Sequence, residues 1–260
     1  DSTHPGRAKA ERRLKQQLVV LHDYKGRVIF IPGNHDWESG GVDALRRQQH
    51  FIEDYLKQED VFLPKDGFPG PVEIELMDDD DHPGLREDIR LVIIDTQWWL
   101  QDEDKPFGDT GEYDLQDAGD FLRELQNVLL ERRNDHVMVL GHHPVLSNGN
   151  HGGYWPLKTH LMPPLLGSLY VGYRKFFGYP QDITHYQYRL LRDELFQQFQ
   201  RHQDLIYASG HEHTLQYFKK ERKNIRQHYV VSGAASKTDF VTKGQGASFV
   251  SSGKGFGTVS

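Results

Sequence analysis

Apolar positions recur along the chain at two spacings, and these spacings predict alternating helices and strands. Apolar residues three or four apart, with polar residues on the opposite face, predict amphipathic helices over 7–23, 43–57, 114–132 and 187–202. Continuous or alternating apolar runs predict strands within 28–31, 71–76, 91–95, 136–144 and 204–213, and short strands follow to the end. The alternation of strands and helices, followed by a β-rich end, predicts an α/β fold with mixed sheets. No repeat or linker divides residues 1–260, so we expect a single domain.

Three of the predicted strands end in glycine followed by polar side chains, in IFIPGNHD, VMVLGHHP and IYASGHEH. Loops beyond the carboxyl ends of strands in an α/β sheet lie together, and glycine permits the sharp turn into them. The side chains expected to converge there are Asn34, His35, His142, His143, His211 and His213. A single histidine is as often a turn cap or a core residue, so the repetition carries the prediction. Imidazole and amide donors suit zinc, iron or manganese.

Composition narrows the classes of function. The net charge of −7 disfavours a general nucleic-acid binder, which needs a basic field. No apolar run approaches the roughly 18–20 residues of a membrane-spanning helix, so no transmembrane segment is predicted. The absence of cysteine excludes disulfides, thiolate metal sites and a cysteine nucleophile.

The strand-end motifs resemble those of the calcineurin-like metallophosphoesterase superfamily. The matching elements are Gly33-Asn34-His35-Asp36, Gly141-His142 and Gly210-His211-Glu212-His213. Three further elements make the small purple acid phosphatases of the tartrate-resistant type the nearest resemblance: His151-Gly152 after GHHPV, GHEHTLQY at 210–217 and YVVSGA at 229–234. The resemblance covers about residues 26–235 and implies a four-layer αββα sandwich with two mixed β-sheets, the metallophosphoesterase fold.

The resemblance also implies ligands for a dinuclear centre of two transition-metal ions, iron, zinc or manganese. It assigns Asn34, His142 and His211 to one ion and His213 to the other. Two ions would clamp a phosphoryl group, and the hydroxide they hold would attack it in line with the leaving oxygen. The implied substrates are phosphorylated small molecules or proteins.

The catalytic residues implied by the resemblance are His35, Asp36 and His151. His35 would stabilise or protonate the leaving oxygen, Asp36 would orient the His35 ring, and His151 would contact substrate. The resulting expectation is a metal-dependent phosphoric ester hydrolase, foremost a phosphomonoesterase. The alternatives are a phosphodiesterase or nucleotide hydrolase, or a catalytically silent phosphoesterase-fold module that binds phosphorylated ligands or partner proteins.

The match is incomplete ahead of Val28, where the family has an Asp-containing motif and a GD motif whose Asp bridges both metals. We therefore expect the domain to lack its first strands here. Because the end, GKGFGTVS, resembles a point within the terminal β-region, we expect the domain to be truncated at both ends. The absent metal ligands would come from the same protein outside these 260 residues. The phosphatase resemblance implies an extracytoplasmic, periplasmic or secreted, location.

The sequence leaves more than one role open for a long loop, for two tryptophans and for His143. Residues 150–186 are predicted as a long ordered loop, and its aromatic part at 161–179 would be a specificity lid, a partner surface or a membrane-surface contact. The tryptophans within 95–106 would either wall the crevice or be buried beneath the loops. His143 would support the site or be structural, and it is not assigned as a ligand.

Overall fold

The computed structural model describes residues 5–38, 40–77, 89–102, 105–106, 108–109, 114–115, 117–161, 166–244 and 246–259. Helices in these ranges are α1 (Pro5–Val19), α2 (Asn34–Trp37), α3 (Gly41–Leu56), α4 (Thr96–Leu100), α5 (Ala118–Glu131), α6 (Leu157–His160), α7 (Leu166–Phe176) and α8 (Tyr186–Phe199). Strands are β1 (Val72–Met77), β2 (Ile89–Ile93), β3 (Gly108–Asp109), β4 (Asp114–Leu115), β5 (His136–Leu140), β6 (Asp204–Ser209), β7 (Leu215–Arg222), β8 (Ile225–Ser232) and β9 (Ala247–Ser251).

Seven strands form one mixed sheet in the order β1-β2-β5-β6-β8-β7-β9. The central strands β2, β5, β6 and β8 are parallel, whereas β1, β7 and β9 join antiparallel towards the edges. The register sets Ile93 opposite Leu140, Leu140 opposite Ala208, and Ala208 opposite Val230. These four strands therefore end level with one another, and the segments that follow them emerge along one edge of the sheet.

Helices cover one face of this sheet with the larger hydrophobic core, which contains Val92, Trp98, Phe121, Leu195 and Tyr207. A smaller buried cluster lies apart from it and consists of Leu63, Ile74, Leu91 and Ile93. Alternate residues of β2 thus serve different clusters, as the period of two in a strand requires. Because both faces are covered, β2 is an almost continuous apolar run.

Local sequence explains where the core helices begin and which face they bury. In α5, Asp117 accepts hydrogen bonds from the backbone N–H groups of Gly119 and Asp120, and the Asp120 side chain accepts one from the Asp117 N–H. This capping box stabilises a helix start by about 0.5–2 kcal/mol. Phe121, Leu125 and Leu129 follow at intervals of four and are buried, so the cap sets the start of a helix with one apolar stripe.

The predicted α/β fold with mixed strands and flanking helices is confirmed, and the four predicted helices correspond to α1, α3, α5 and α8. Where two mixed sheets were expected, the described strands form the seven-stranded sheet and a two-stranded β3–β4 ribbon. The run at 28–31 forms only a single bridge, between Phe30 and Phe62, because none of the described strands pairs with it over a longer stretch. The expected loop at 150–186 contains helices α6 and α7. Among the described residues, no helix has both the length and the apolarity to cross a bilayer.

Candidate metal-binding site

Three predicted ligands meet at the edge where the parallel strands end. Asn34 begins α2, His142 follows β5 and His211 follows β6. The Nε2 atom of His142 lies 2.9 Å from Asn34 Oδ1 and 3.3 Å from His211 Nδ1. Three donor atoms from segments far apart in the chain therefore face one point, an arrangement that suits a single transition-metal ion.

Backbone geometry at the strand ends makes this convergence possible. A side chain at Gly33 would place its Cβ 2.7 Å from Cε1 of His142, so only glycine lets that ring approach. The backbone N–H of Gly210 donates to the His142 carbonyl at 3.1 Å, which joins the two loops. His211 has a φ of +59°, a left-handed conformation that non-glycine residues adopt mainly where the surroundings hold them.

Burial keeps the imidazoles of His142 and His211, two of the predicted ligands, neutral. It lowers the pKa of His142 and His211 well below the ordinary 6.5, and neighbouring histidines lower the pKa further. Nε2 of His211 lies 3.0 Å from the Gln181 carbonyl oxygen, which accepts a hydrogen bond from the Nε2–H. Nδ1 of His211 is thereby left with its lone pair towards His142, the tautomer that a metal ligand requires.

His143 lies in the same cluster, since its ligand atoms and those of His142 and His211 are within 4.8 Å of one another. Both ring nitrogens of His143 already have protein partners: Nδ1 is 2.8 Å from Thr96 Oγ1 and Nε2 is 2.7 Å from Gln181 Oε1. Burial lowers the pKa of this ring to about 3. We therefore assign His143 a supporting position and Asn34 the third donor.

His35 and Asp36 are placed differently from the roles that the resemblance implied. The His35 side chain is 77% exposed, and its Nδ1 lies 2.7 Å from Glu38 Oε2. Asp36 accepts hydrogen bonds from the Gly33 N–H, at 2.6 Å, and from Gln48. The expected contact of Asp36 with the His35 ring is therefore not made, because Asp36 caps the start of α2 and Glu38 meets the ring instead.

His213 and His151 have acidic partners that the sequence did not reveal. Nδ1 of His213 is 2.6 Å from Asp239 Oδ2, so among the described contacts His213 is paired away from the three-donor point. Nδ1 of His151 donates to Asp182 Oδ1 at 2.9 Å, and its ring centroid lies 4.3 Å from that of His211. Asp182 and Asp239 stand in no recognisable motif, so only the fold could identify these pairs.

The buried carboxylates around the site have other partners. Asp95 caps α4 and accepts from Trp37 Nε1 at 2.8 Å. Asp182 accepts from Arg174 and His151, and Glu212 accepts from Ser147 Oγ and two backbone N–H groups. Asp36 caps α2, as described above. Each of these carboxylates is thus hydrogen-bonded within the protein, whereas Asn34, His142 and His211 offer neutral donors as candidate ligands for one ion.

Comparison with known proteins shows the fold and corrects the family prediction. No protein-family model matches the chain, and no curated protein matches it. A solved structure described as "GAP50 the anchor in the inner membrane complex of Plasmodium" is similar, with a TM-score of 0.51 and 16% sequence identity. The match covers 90% of this chain, and the chain spans only 59% of that structure.

The predicted membership of the calcineurin-like metallophosphoesterases, nearest to the small purple acid phosphatases, is therefore wrong. No family model supports it, and the similar structure is described as a membrane-complex anchor. At this identity the likeness shows a shared fold alone. A handful of glycine, histidine and asparagine positions occupies too little of the chain to define a family.

Proposed function

We propose that this protein is a binding module on a phosphoesterase-type α/β fold, which holds one transition-metal ion and captures phosphate-bearing ligands without hydrolysing them. One observation carries the proposal: Asn34, His142 and His211 present three neutral donor atoms to one point, while the described carboxylates nearby are occupied. The similar Plasmodium structure is described as an anchor, which also favours a binding role.

The charge of the donor set supports an anionic ligand. The Asn34 amide is uncharged, and both imidazoles are kept neutral by their lowered pKa values. A divalent ion held by these groups would keep its full charge, since no donor offsets it. The ion would supply a Lewis-acidic centre for phosphate oxygens, and the exposed His35 would add a hydrogen-bond donor at the rim.

The test combines metal content with phosphate binding and turnover. Inductively coupled plasma mass spectrometry should find one transition-metal ion per chain, and calorimetry should detect binding of inorganic phosphate only to the loaded protein. His211→Ala should lose both, whereas His50→Ala, exposed on α3, should lose neither. Absence of bound metal, or phosphate binding that survives His211→Ala, would refute the proposal.

A metal-dependent phosphoric ester hydrolase is the second candidate, favoured by the position of His35 directly after the ligand Asn34 at the exposed rim. It requires two ions per chain and turnover of p-nitrophenyl phosphate, or of bis(p-nitrophenyl) phosphate for a diesterase. His35→Ala would then abolish most turnover while keeping metal. The binding module instead predicts no turnover above that of His211→Ala, so the same preparations separate the candidates.

A further inference from the structure

Exposed apolar side chains are concentrated on one part of the surface. Eleven of the nineteen large hydrophobic residues that are exposed in the described chain lie between Leu157 and Leu190. We define the α7 surface as Leu166, Leu169, Tyr170, Tyr173, Phe176 and Phe177. Phe176 and Phe177 are 73% and 67% exposed. Contiguous patches of this kind on soluble proteins mark binding surfaces.

Helix α7 is unusual because a row of its apolar side chains faces solvent. The helix buries Gly167, Val171 and Arg174, which lie at intervals of four and three. Leu166, Leu169, Tyr173 and Phe176 are spaced by three and four residues along a different side of the helix and are exposed, so this side presents apolar residues to solvent. In an ordinary surface helix this stripe would face the core.

Ring contacts hold the α7 surface in a defined shape. Tyr173 stacks with Phe177 at a centroid distance of 5.7 Å and meets Tyr179 edge-on at 5.8 Å. The Arg174 guanidinium lies 4.8 Å from the centroid of the Tyr179 ring and is hydrogen-bonded to buried Asp182. The surface is therefore built on a buried ion pair.

The segment that carries this surface has a net charge opposite in sign to that of the whole protein. Between residues 153 and 190 the only acidic residue is Asp182, which is buried and paired with Arg174. Lys158, Lys175 and Arg189 are exposed in the same segment. A chain of net charge −7 thus carries a basic, aromatic segment.

We propose that the α7 surface docks onto an anionic lipid bilayer, with its aromatic and leucine side chains in the headgroup region. Tyrosine and phenylalanine favour that region, and lysine and arginine are attracted by anionic headgroups. The basic face also lets an acidic protein approach a negative surface. A second copy of the chain fits less well, because a symmetric pairing would bring Lys175 towards its equivalent.

Vesicle flotation tests this docking. The protein should bind vesicles of phosphatidylcholine with phosphatidylserine and should not bind phosphatidylcholine alone. Phe176→Ser with Phe177→Ser should weaken binding more than about tenfold, because two aromatic side chains that docking would bury are lost. Lys175→Gln should weaken it about fivefold, the equivalent of about 1 kcal/mol per basic residue. Matched controls are Phe256→Ser, 78% exposed outside this surface, and Lys254→Gln.

Three results would overturn the proposal: no binding to anionic vesicles, equal binding to neutral ones, or unchanged binding by the double serine variant. A dimer in light scattering that the double variant abolishes, without vesicle binding, would assign the surface to a second copy. Thermal unfolding shows whether the variants fold. Lys175→Gln tests the electrostatic contribution without removing an aromatic side chain. Vesicle flotation measures neither metal nor phosphate binding, so its outcome is separate from the test of the proposed function.

Discussion

Asp182 joins the histidine site to the α7 surface, and replacing it with asparagine is a demanding test of the structure. Its carboxylate accepts hydrogen bonds from Arg174, from His151 Nδ1 at 2.9 Å and from the Tyr179 N–H at 2.9 Å. Asp182→Asn removes the charge and turns one acceptor oxygen into a donor. An amide N–H would then face the N–H groups of Arg174 or the ring N–H of His151.

The expected loss of stability follows from the burial of this pair. The Asp182 and Arg174 side chains are 2% and 9% exposed, so solvent screens their interaction little. Removing one partner of a buried pair costs about 3–5 kcal/mol. The rings of Tyr179 and Trp155 lie 4.8 and 4.9 Å from the Arg174 guanidinium and offset part of that cost. We expect the free energy of unfolding to fall by about 3 kcal/mol and Tm by about 6–12 °C.

Urea and thermal unfolding of Asp182→Asn would measure this loss. Asp193→Asn, which breaks an exposed pair with Arg192, is the matched control and should change stability by less than about 1 kcal/mol. An equally small loss for Asp182→Asn would show that the buried network is not formed in solution.

The same variant should alter the pH dependence of stability. Burial raises the pKa of Asp182, but hydrogen bonds from His151, Arg174 and Tyr179 outweigh it and hold the pKa below the ordinary 3.8. The unfolded chain therefore takes up this proton first as pH falls. The stability difference between the wild type and Asp182→Asn should be full at neutral pH and shrink below about pH 4. A difference independent of pH would contradict an ionised Asp182.

Further predictions concern Gly33, the hydrogen bond of Tyr207 and the buried carboxyl group of Asp95. Gly33→Ala should displace the His142 ring, 2.7 Å from the new Cβ, and lower metal content measured by mass spectrometry; full loading would contradict that contact. Tyr207→Phe removes the 2.6 Å hydrogen bond to the His143 carbonyl and should cost about 1–2 kcal/mol in urea unfolding; no loss would refute the bond. Burial raises the pKa of Asp95 from 3.8 to about 7, so the folded state keeps a proton that the unfolded state releases. Its contribution to stability should therefore fall by up to about 4 kcal/mol from pH 4 to 7, and profiles for the wild type and Asp95→Asn that run parallel would refute this.

The sequence predicted those elements whose pattern is local. The 3.6-residue spacing of apolar residues in α5 and α8 is a property of each segment, as is the apolar run of β2, and these predictions agree with the structure. The meeting of His142 with His211 followed from a general property of parallel sheets, in which strand ends share one edge. The run at 28–31 has the same composition as a strand but forms a single bridge, since a ladder depends on a partner elsewhere in the chain.

Only the tertiary structure decided which histidines pair with which aspartates and which side of α7 faces solvent. Asp182 with His151, and Asp239 with His213, join residues 31 and 26 positions apart that share no motif, so no local pattern could identify them. The spacing in α7 indicates an apolar stripe but does not say whether that stripe faces core or solvent. Its direction is settled by the burial of Arg174 against Asp182, because an ion pair that lies inside holds one side of the helix inward and leaves the aromatic side in water.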